Sequence, residues 1–271
     1  MRIINLMEDT KGAEGCIYEH GLSFYVETKK HKILVDTGAS DAFLENARLL
    51  GIDLTQVDTV VISHGHYDHT GGLLAFALLN PDAKIYMRNN AGKAYYSIKD
   101  NGEKYIGINQ DILELPQLVL VEGDMQIDEE LSLFTNVTGR RFWAKGNLLL
   151  KRKDKECLVQ DEFDHEQCLV VKDCEEQILF SGCAHNGILN ILEKYKEIYH
   201  GYPDRVVSGF HMIQQEYTEE DLENIRQTAR ELQKLDCRFY SGHCTGQTAL
   251  DVMKEIMQEQ LQQIHSGMEV I

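Results

Sequence analysis

The feature that most constrains this chain is a cluster of four potential metal ligands within six residues. His64, His66, Asp68 and His69 lie in the segment SHGHYDHTGG, directly after the apolar and β-branched run DTVVIS. Such a run predicts a buried strand, and a loop at a strand end can aim imidazole and carboxylate groups inward. An apolar helix is predicted next, over Gly71–Leu79. Because buried elements flank the cluster on both sides, we interpret it as a metal site rather than a His-rich surface loop.

Strand and helix signals alternate in the first and last thirds of the chain. Strands are predicted at Leu22–Glu27, Lys32–Asp36, Asp58–Ser63, Lys84–Met87, Gln117–Val121, Leu131–Thr135, Cys168–Val171, Gln177–Ser181, Arg205–Gly209 and Arg238–Ser241. Helices are predicted from about Ser40 to Leu50 and over Gly71–Leu79, Ile188–Tyr199, Glu219–Leu235 and Gly246–His265, and Thr218 and Asp221 are spaced as a capping box. Loops and antiparallel strands are expected in the middle, from about 89 to 147. The pattern predicts an α/β fold in which two mixed sheets pack face to face with helices outside.

Composition narrows the class of protein and its partners. No linker or repeat interrupts the 271 residues, so one domain over residues 1–271 is expected. The net charge of −17 repels polyphosphate and argues against nucleic acid as a partner. No apolar run approaches the roughly 20 residues that span a bilayer, and the N-terminus lacks the apolar core of a secretory signal. Seven cysteines without a C-x-x-C pair argue against a disulfide framework and favour the cytoplasm.

The pattern H-x-H-x-D-H after a strand resembles the signature of the metallo-β-lactamase fold superfamily. The segments ILVDTG and YSGH fall in that fold's order, so the resemblance covers nearly the whole chain. The segments GLSFYVE, SHGHYDHTGGL, LFSGCAHNGI, SGFH and YSGHCTG are similar to a narrower branch, the dihydropterin–ribofuranosylaminobenzene phosphate synthase-like proteins. The resemblance implies an αββα sandwich of two mixed sheets with helices on the outer faces.

The resemblance also implies two divalent metal ions and a ligand set for each. His64 and His66 would bind the first metal, together with a third histidine that precedes a downstream strand. His165 fits that position because it leads into Cys168–Val171. Asp68 and His69 would bind the second metal, together with His243 at the end of a late strand.

One position departs from the pattern of many relatives, in which a strand ends in Ser/Thr-Gly-Asp and the aspartate bridges both metals. This chain has Cys183 in the segment FSGC. Either Cys183 binds as a thiolate, or it is a passive small residue and His185 is the ligand. A sulfur ligand would favour zinc, and manganese, iron and magnesium stay open as alternatives. His211, after another strand end, is expected either to face the pocket as a proton donor or substrate contact, or to be a hydrogen-bonded loop residue.

Four further residues near these motifs have predicted roles outside the set of metal ligands. Asp36 is expected to brace the metal loop as a hydrogen-bond acceptor rather than to bind metal. Arg140 and Arg141 adjoin Trp143, the only tryptophan. Their side chains would either bind a phosphate or carboxylate beside the indole, or lie in an exposed basic turn. The exposed turn is the favoured interpretation.

These residues predict a metal-dependent hydrolase in which a dinuclear centre activates a hydroxide toward a small ester, lactone or phosphate ester. Asp68 would orient the nucleophile and accept its proton, and His211 or His185 would protonate the leaving group. The resemblance to the narrower branch implies an alternative, a transferase with a diphosphate leaving group. A non-catalytic metal-binding or sensing protein is the third hypothesis. A small molecule is the expected partner and could be anionic, and the sequence does not determine the oligomeric state.

Overall fold

A computed structural model describes residues 1–99, 102–174 and 176–271. Its strands are β1 Arg2–Met7, β2 Ser23–Glu27, β3 Lys32–Val35, β4 Thr59–Val61, β5 Lys84–Arg88, β6 Tyr95–Lys99, β7 Gly102–Tyr105, β8 Leu118–Val121, β9 Met125–Gln126, β10 Leu131–Thr135, β11 Leu150–Asp154, β12 Cys157–Gln160, β13 Gln167–Asp173, β14 Glu176–Phe180, β15 Arg205–Val207, β16 Arg238–Ser241 and β17 Leu261–Gln263. Its α-helices are α1 Ala42–Leu49, α2 Tyr67–Thr70, α3 Leu73–Leu79, α4 Ile188–Tyr199, α5 Glu219–Gln233 and α6 Gln247–Met257.

The first sheet has the strand order β1-β2-β3-β4-β5-β8 and mixed direction. Strands β1, β2 and β3 pair antiparallel, whereas β3, β4, β5 and β8 run parallel. Because parallel neighbours end at the same edge, the segments after β3 and β4 emerge side by side. Asp36 and the segment that begins at Ser63 therefore lie at one edge of this sheet.

The second sheet has the order β17-β16-β15-β14-β13-β10-β9 and is also mixed. Strands β14 to β17 are parallel, and β9, β10 and β13 add antiparallel pairs. The carboxyl ends of β14, β15 and β16 lead within a few residues to Cys183, His211 and His243. The parallel order thus gathers three residues that lie far apart in sequence.

The two sheets pack face to face. One buried core between them combines side chains of the first sheet, such as Phe24 and Val61, with side chains of the second, such as Phe180 and Val207. A second core joins the outer face of the first sheet to α1 and α3, and a third joins the outer face of the second sheet to α4, α5 and α6. This layering confirms the expected αββα sandwich.

A smaller third sheet, β12-β11-β6-β7, comes from the middle of the chain. It surrounds a small core of Tyr95, Ile106, Leu150 and Phe163. Tyr95 and Phe163 also contact the ring of His165, at centroid distances of 4.0 and 6.0 Å. The middle segment therefore supplies antiparallel strands close to the histidines, as expected.

The secondary structure near the two termini differs from the prediction. The first strand, β1, has no predicted counterpart, and the terminal helix predicted over Gly246–His265 is wrong beyond Met257. Gln258 adopts a left-handed conformation with φ of 49°, which ends α6, and β17 then pairs parallel with β16. The capping box of α5 is confirmed, because the Asp221 amide donates to Thr218 Oγ1 (3.2 Å) and the Thr218 amide donates to Asp221 Oδ2 (2.9 Å).

Among the described residues, no helix has both the length and the apolar composition needed to cross a membrane. The organisation of residues 1–271 as a single domain stays a prediction.

Replacing Phe24 with alanine is expected to lower the free energy of unfolding by about 3–5 kcal/mol. The ring is 1% exposed and packs edge-on against Phe180 at 5.9 Å, so its removal leaves a cavity between the sheets. Leu78→Ala is the matched control, because Leu78 is 87% exposed and its loss should change stability by less than about 0.5 kcal/mol. Urea unfolding followed by circular dichroism measures both, and equal changes would contradict the assigned packing.

Candidate metal centre

Asp36 holds the histidine segment in place. Its carboxylate accepts hydrogen bonds from the Ser63 amide, the Ser63 hydroxyl and His69 Nδ1, each 2.7 Å long. Asp36 is fully buried, which makes each of these bonds costly to lose. Asp36 therefore has the bracing contacts that the sequence predicts, and its contact with His69 directs the other ring nitrogen, Nε2, toward the cluster.

Three imidazole nitrogens converge at the first cluster. His64 Nε2 lies 3.0 Å from His66 Nδ1 and 3.2 Å from His185 Nε2. Burial, reinforced by the neighbouring rings, holds the pKa of His64 and of His185 well below the ordinary value, and the pKa of His66 falls to about 3. Neutral imidazoles are the form that binds metal, so burial keeps these three rings in their ligating state.

The structure brings His185 beside His64, and it places His165 beside His66. The Gly65 amide donates to His165 Nδ1 (2.9 Å), and His165 Nε2 lies 3.1 Å from Asp161 Oδ2. The ligand atoms of His165, His66 and Asp161 lie within 4.8 Å of one another, so the expected role of His165 beside His66 stays a prediction. His185 reaches the cluster because Gly182 and Ala184 both have positive φ and turn the chain sharply after β14. Its Nδ1 faces Asn147 Oδ1 at 3.1 Å.

A second cluster lies beside the first. Asp68 Oδ2 is 3.6 Å from His69 Nε2 and 3.3 Å from His243 Nε2. Burial raises the pKa of Asp68, but the adjacent His69 and His243 outweigh it and hold this pKa well below the ordinary value. The cluster therefore combines an ionised carboxylate with two imidazoles.

Asp9 supports this second cluster and was not anticipated from the sequence. Asp9 Oδ1 lies 2.6 Å from His243 Nδ1, while Asp9 Oδ2 lies 2.8 Å from His20 Nδ1. A carboxylate on one nitrogen fixes the tautomer that leaves the other free, and His243 Nε2 is buried without a hydrogen-bond partner. In the sequence, the role of Asp9 is marked only by the acidic pair Glu8-Asp9 after an apolar run. That pair has no characteristic spacing from a histidine, so it does not predict the contact.

Cys183 belongs to both clusters. Its sulfur lies 3.2 Å from His69 Nε2, and it can share one ion with His64 and His185 or another with His69 and His243. Burial raises the pKa of this thiol well above the ordinary value, so a bound cation would be needed to keep it as a thiolate. Of the alternatives left open by the sequence, the structure brings both Cys183 and His185 to the centre.

Comparisons with known proteins identify the family. The profile of the metallo-beta-lactamase superfamily matches residues 18–140. The solved structure of Tm1679, described as a metal-dependent hydrolase of the beta-lactamase superfamily, is 32% identical and superposes with a TM-score of 0.83 over 100% of this chain and 98% of that chain. The chain belongs to the metallo-β-lactamase superfamily.

Two further proteins are similar to this chain over nearly its whole length. The 7,8-dihydropterin-6-methyl-4-(beta-D-ribofuranosyl)-aminobenzene-5'-phosphate synthase of Methanocaldococcus jannaschii is 28% identical, and the match covers 98% of this chain and 95% of that protein. The metallo-beta-lactamase fold protein YhfI of Bacillus subtilis is 12% identical, with a TM-score of 0.58 over 99% of this chain and 98% of that chain. The second likeness shows the fold alone, whereas the first matches the narrower branch expected from the motifs.

The donor atoms of this superfamily member fit divalent metal ions. His64 Nε2 lies within 3.2 Å of both His66 Nδ1 and His185 Nε2, and it cannot satisfy both by hydrogen bonds, whereas a cation beside these nitrogens could. His243 Nε2 is buried without a hydrogen bond, and it lies 3.3 Å from Asp68 Oδ2. Imidazole, carboxylate and thiolate together are ligands typical of zinc.

His211 and His20 lie at the border of the centre. The His211 ring is 4.1 Å from that of His185, and its Nδ1 is buried without a partner. It also lies within ligand distance of Cys183 and Cys244. His20 is half exposed, stacks on His243 at 4.8 Å and brings Nε2 to 3.5 Å from Asp68 Oδ2. Both rings therefore face the site, although neither belongs to the two clusters.

The two arginines beside Trp143 are paired within the protein. Arg140 donates to Asn186 Oδ1 (3.0 Å) and to Glu162 Oε2 (2.9 Å). Arg141 lies near two glutamates, at 3.8 and 3.3 Å. The contacts favour a structural turn over an anion clamp.

Substitution of the two competing histidines tests the ligand assignment. His185→Ala is expected to lower zinc stoichiometry by about one ion per chain, because His64 and His66 lose the third nitrogen that completes a zinc site. His165→Ala should keep the stoichiometry at saturating zinc and weaken affinity by about 10–100-fold, since it removes only a hydrogen bond behind the ligands. Elemental analysis and chelator competition measure both values. Loss of an ion from His165→Ala alone would reverse the assignment.

Proposed function

We propose that this protein is a metal-dependent hydrolase with two divalent metal ions, zinc being favoured, that acts on a small ester, lactone or phosphate ester. The observation that carries the proposal is the meeting of two ligand clusters at Cys183. One cluster is His64, His66 and His185, and the other is Asp68, His69 and His243. The cytoplasm stays the predicted compartment and a small molecule the predicted partner.

Two bound ions would supply an acidified water as nucleophile and Lewis acidity toward the carbonyl or phosphoryl oxygen. The chain's own residues supply the remaining steps. Asp68 is ionised, and its Oδ2 borders the second cluster, where it can orient the attacking water and accept its proton. His211 is the remaining candidate for the leaving-group acid, because both nitrogens of His185 are engaged by His64 and Asn147.

A screen of hydrolytic substrates tests this proposal. Purified protein loaded with zinc is assayed with p-nitrophenyl acetate, a γ-lactone, p-nitrophenyl phosphate and bis-p-nitrophenyl phosphate. Chelation is expected to abolish the hydrolysis of at least one of them, and added zinc to restore it. No zinc-dependent turnover of any member would contradict the hydrolase proposal.

Asp68→Ala is expected to lower kcat for the hydrolysed substrate by about 10²–10⁴-fold, even with excess zinc, because the proton acceptor and one ligand are lost together. Asp111→Ala is the control, since Asp111 is an exposed carboxylate on the short 3₁₀ helix Gln110–Glu114. Steady-state kinetics and metal analysis of the same samples distinguish a lower kcat caused by the missing proton acceptor from one caused by missing metal. A near-native rate for Asp68→Ala would remove Asp68 from the mechanism.

Replacing the shared sulfur is expected to change which metal supports activity. Cys183→Asp restores the carboxylate common in relatives, and the harder oxygen ligand should shift preference from zinc toward manganese or magnesium. Cys183→Ser keeps the size of the side chain without a strong anionic ligand, so it should weaken the binding of both ions. Activity after reconstitution with each metal gives the comparison. An unchanged preference in Cys183→Asp would show that the sulfur does not bind metal.

The second candidate is a transferase of the dihydropterin–ribofuranosylaminobenzene phosphate synthase type. Its support is the 28% identity to the Methanocaldococcus jannaschii synthase, which extends over 98% of this chain. In that reaction class the ions would stabilise a diphosphate leaving group. Diphosphate release that requires an aromatic amine acceptor would favour the transferase, and hydrolysis without an acceptor would favour the hydrolase.

A further inference from the structure

The turn that brings His185 to the centre has an uncommon backbone. It follows β14, and within it Gly182, Ala184 and Gly187 have φ of 54°, 49° and 88°. Glycine adopts such angles at little cost, whereas alanine adopts them only where surrounding contacts hold it. The conformation at Ala184 therefore needs support close by, because a relaxed turn would carry His185 away from the first cluster.

Glu166, which directly precedes β13, supplies that support. Its Oε1 accepts a hydrogen bond from the His185 amide (2.6 Å), and its Oε2 accepts from the Asn186 amide (3.1 Å) and from Asn186 Nδ2 (2.8 Å). One carboxylate thus holds both residues that follow Ala184. Glu166 is 3% exposed and Asn186 is 2% exposed, so these bonds form away from water, where a lost partner is costly.

The place of Glu166 in the chain connects the two histidines that border His64 and His66. Its backbone continues from His165, whose ring lies 5.2 Å from that of His66, and its side chain reaches the amide of His185, whose Nε2 lies 3.2 Å from His64 Nε2. The carboxylate already accepts three hydrogen bonds from the turn. Its influence on the cluster therefore passes through the backbone of His185 rather than through a bond of its own to an ion.

The two residues held by Glu166 differ in their other contacts. Asn186 Oδ1 also accepts from Arg140 Nη1 (3.0 Å), and the Asn186 carbonyl accepts from Asn190 Nδ2 (2.8 Å) in the first turn of α4. Asn186 is thus attached to the second sheet's outer helix as well as to Glu166. The His185 amide has Glu166 as its partner, so the loss of this carboxylate should affect the position of His185 most.

We propose that Glu166 is a positioning residue of the metal centre, whose carboxylate holds the turn after β14 so that the ring of His185 enters the first cluster. The inference rests on the proposed function in one respect, namely that ions bind at the two clusters. It concerns the affinity for the ion at the first cluster and requires neither a substrate nor a reaction. Metal-binding measurements can therefore test it separately from hydrolysis.

The test compares Glu166→Gln with Glu162→Gln. Glutamine keeps the size of the side chain but replaces one acceptor oxygen of Glu166 with an NH₂ group, which would face an N–H donor. Glu162 is the matched control, because its side chain is 62% exposed and its pairing with Arg140 lies at the surface. In chelator competition, Glu166→Gln is expected to weaken zinc binding at the first cluster by about 10–100-fold, the range for groups behind metal ligands, and Glu162→Gln by less than about twofold.

Two histidine variants show whether the effect passes through His185. His185→Ala is expected to keep only the ion at the second cluster, so the addition of Glu166→Gln should leave the affinity for that ion unchanged. His165→Ala keeps His185, so the addition of Glu166→Gln should still weaken binding at the first cluster by about 10–100-fold. A role in folding alone would lower the affinity for the remaining ion in both variants.

Two further measurements distinguish positioning from folding. With cobalt(II) in place of zinc, the visible absorption bands report the ligands of each ion, and Glu166→Gln should change the bands of the first ion alone. Thermal unfolding of the metal-free protein shows whether Glu166→Gln folds. If it does not, Asn186→Ala replaces it in the same comparisons. That variant removes one of the three hydrogen bonds and should weaken binding at the first cluster by about threefold to tenfold, and only where His185 is present.

Three results would overturn the positioning role: unchanged zinc affinity in folded Glu166→Gln, an equal loss of affinity in His185→Ala, or an effect that disappears in His165→Ala instead. The absence of zinc binding by the unsubstituted protein would overturn it as well. The expected pattern of affinities without turnover of any hydrolytic substrate would support the positioning role and refute the hydrolase.

Discussion

The centre depends on one buried carboxylate. Asp36 joins the end of β3 to the segment after β4, and its hydrogen bonds to Ser63 and His69 fix the direction in which that segment leaves the sheet. The carboxylate sits at a residue with φ of 59°, a backbone conformation that tertiary contacts must support. Because the segment is anchored at both Ser63 and His69, the rings between these residues have little freedom. The first sheet thus presents a preorganised set of ligands to the edge of the second.

Four of the five imidazoles in the two clusters have different partners behind them, whereas His66 Nε2 is buried without one. Asp36 contacts His69, Asp9 contacts His243, Asn147 contacts His185, and the Ser63 hydroxyl lies 3.0 Å from His64 Nδ1. A carboxylate partner makes an imidazole more electron-donating than an amide or hydroxyl does. The cluster that contains Asp68 is therefore the more anionic of the two, so the two positions would hold their ions with unequal strength.

The sequence predicted the layers of the fold because local patterns encode them. Apolar β-branched runs such as DTVVIS and the capping box at Thr218 depend only on near neighbours. Strand β17 was missed because its pairing with β16 is a tertiary contact, which outweighed the helical character of the preceding residues. Strand β1 was missed for the same reason. It lies at the edge of the first sheet, where it pairs with β2.

The residues of the candidate site likewise fall into two groups, those that local sequence patterns reveal and those that only tertiary contacts reveal. The four ligands within His64–His69 could be read from one segment, whereas the third histidine of the first cluster required knowing how a turn after β14 folds back. His165 and His185 both adjoin strands of the second sheet, and only hydrogen bonds distinguish them. His165 contacts Gly65 and Asp161, whereas His185 contacts His64 and Asn147. Asp9 was not predicted, because its partner His243 lies 234 positions later in the sequence.

That long-range contact also has a consequence for when the second cluster can form during synthesis. The second cluster needs His243, whose backbone amide is held by Glu8 and whose ring is held by Asp9. Chains are made from the N-terminus, so residues 8 and 9 must wait for nearly all of the polypeptide to leave the ribosome before their partner arrives. The side chains of the second cluster can thus come together only after those of the first have been synthesised.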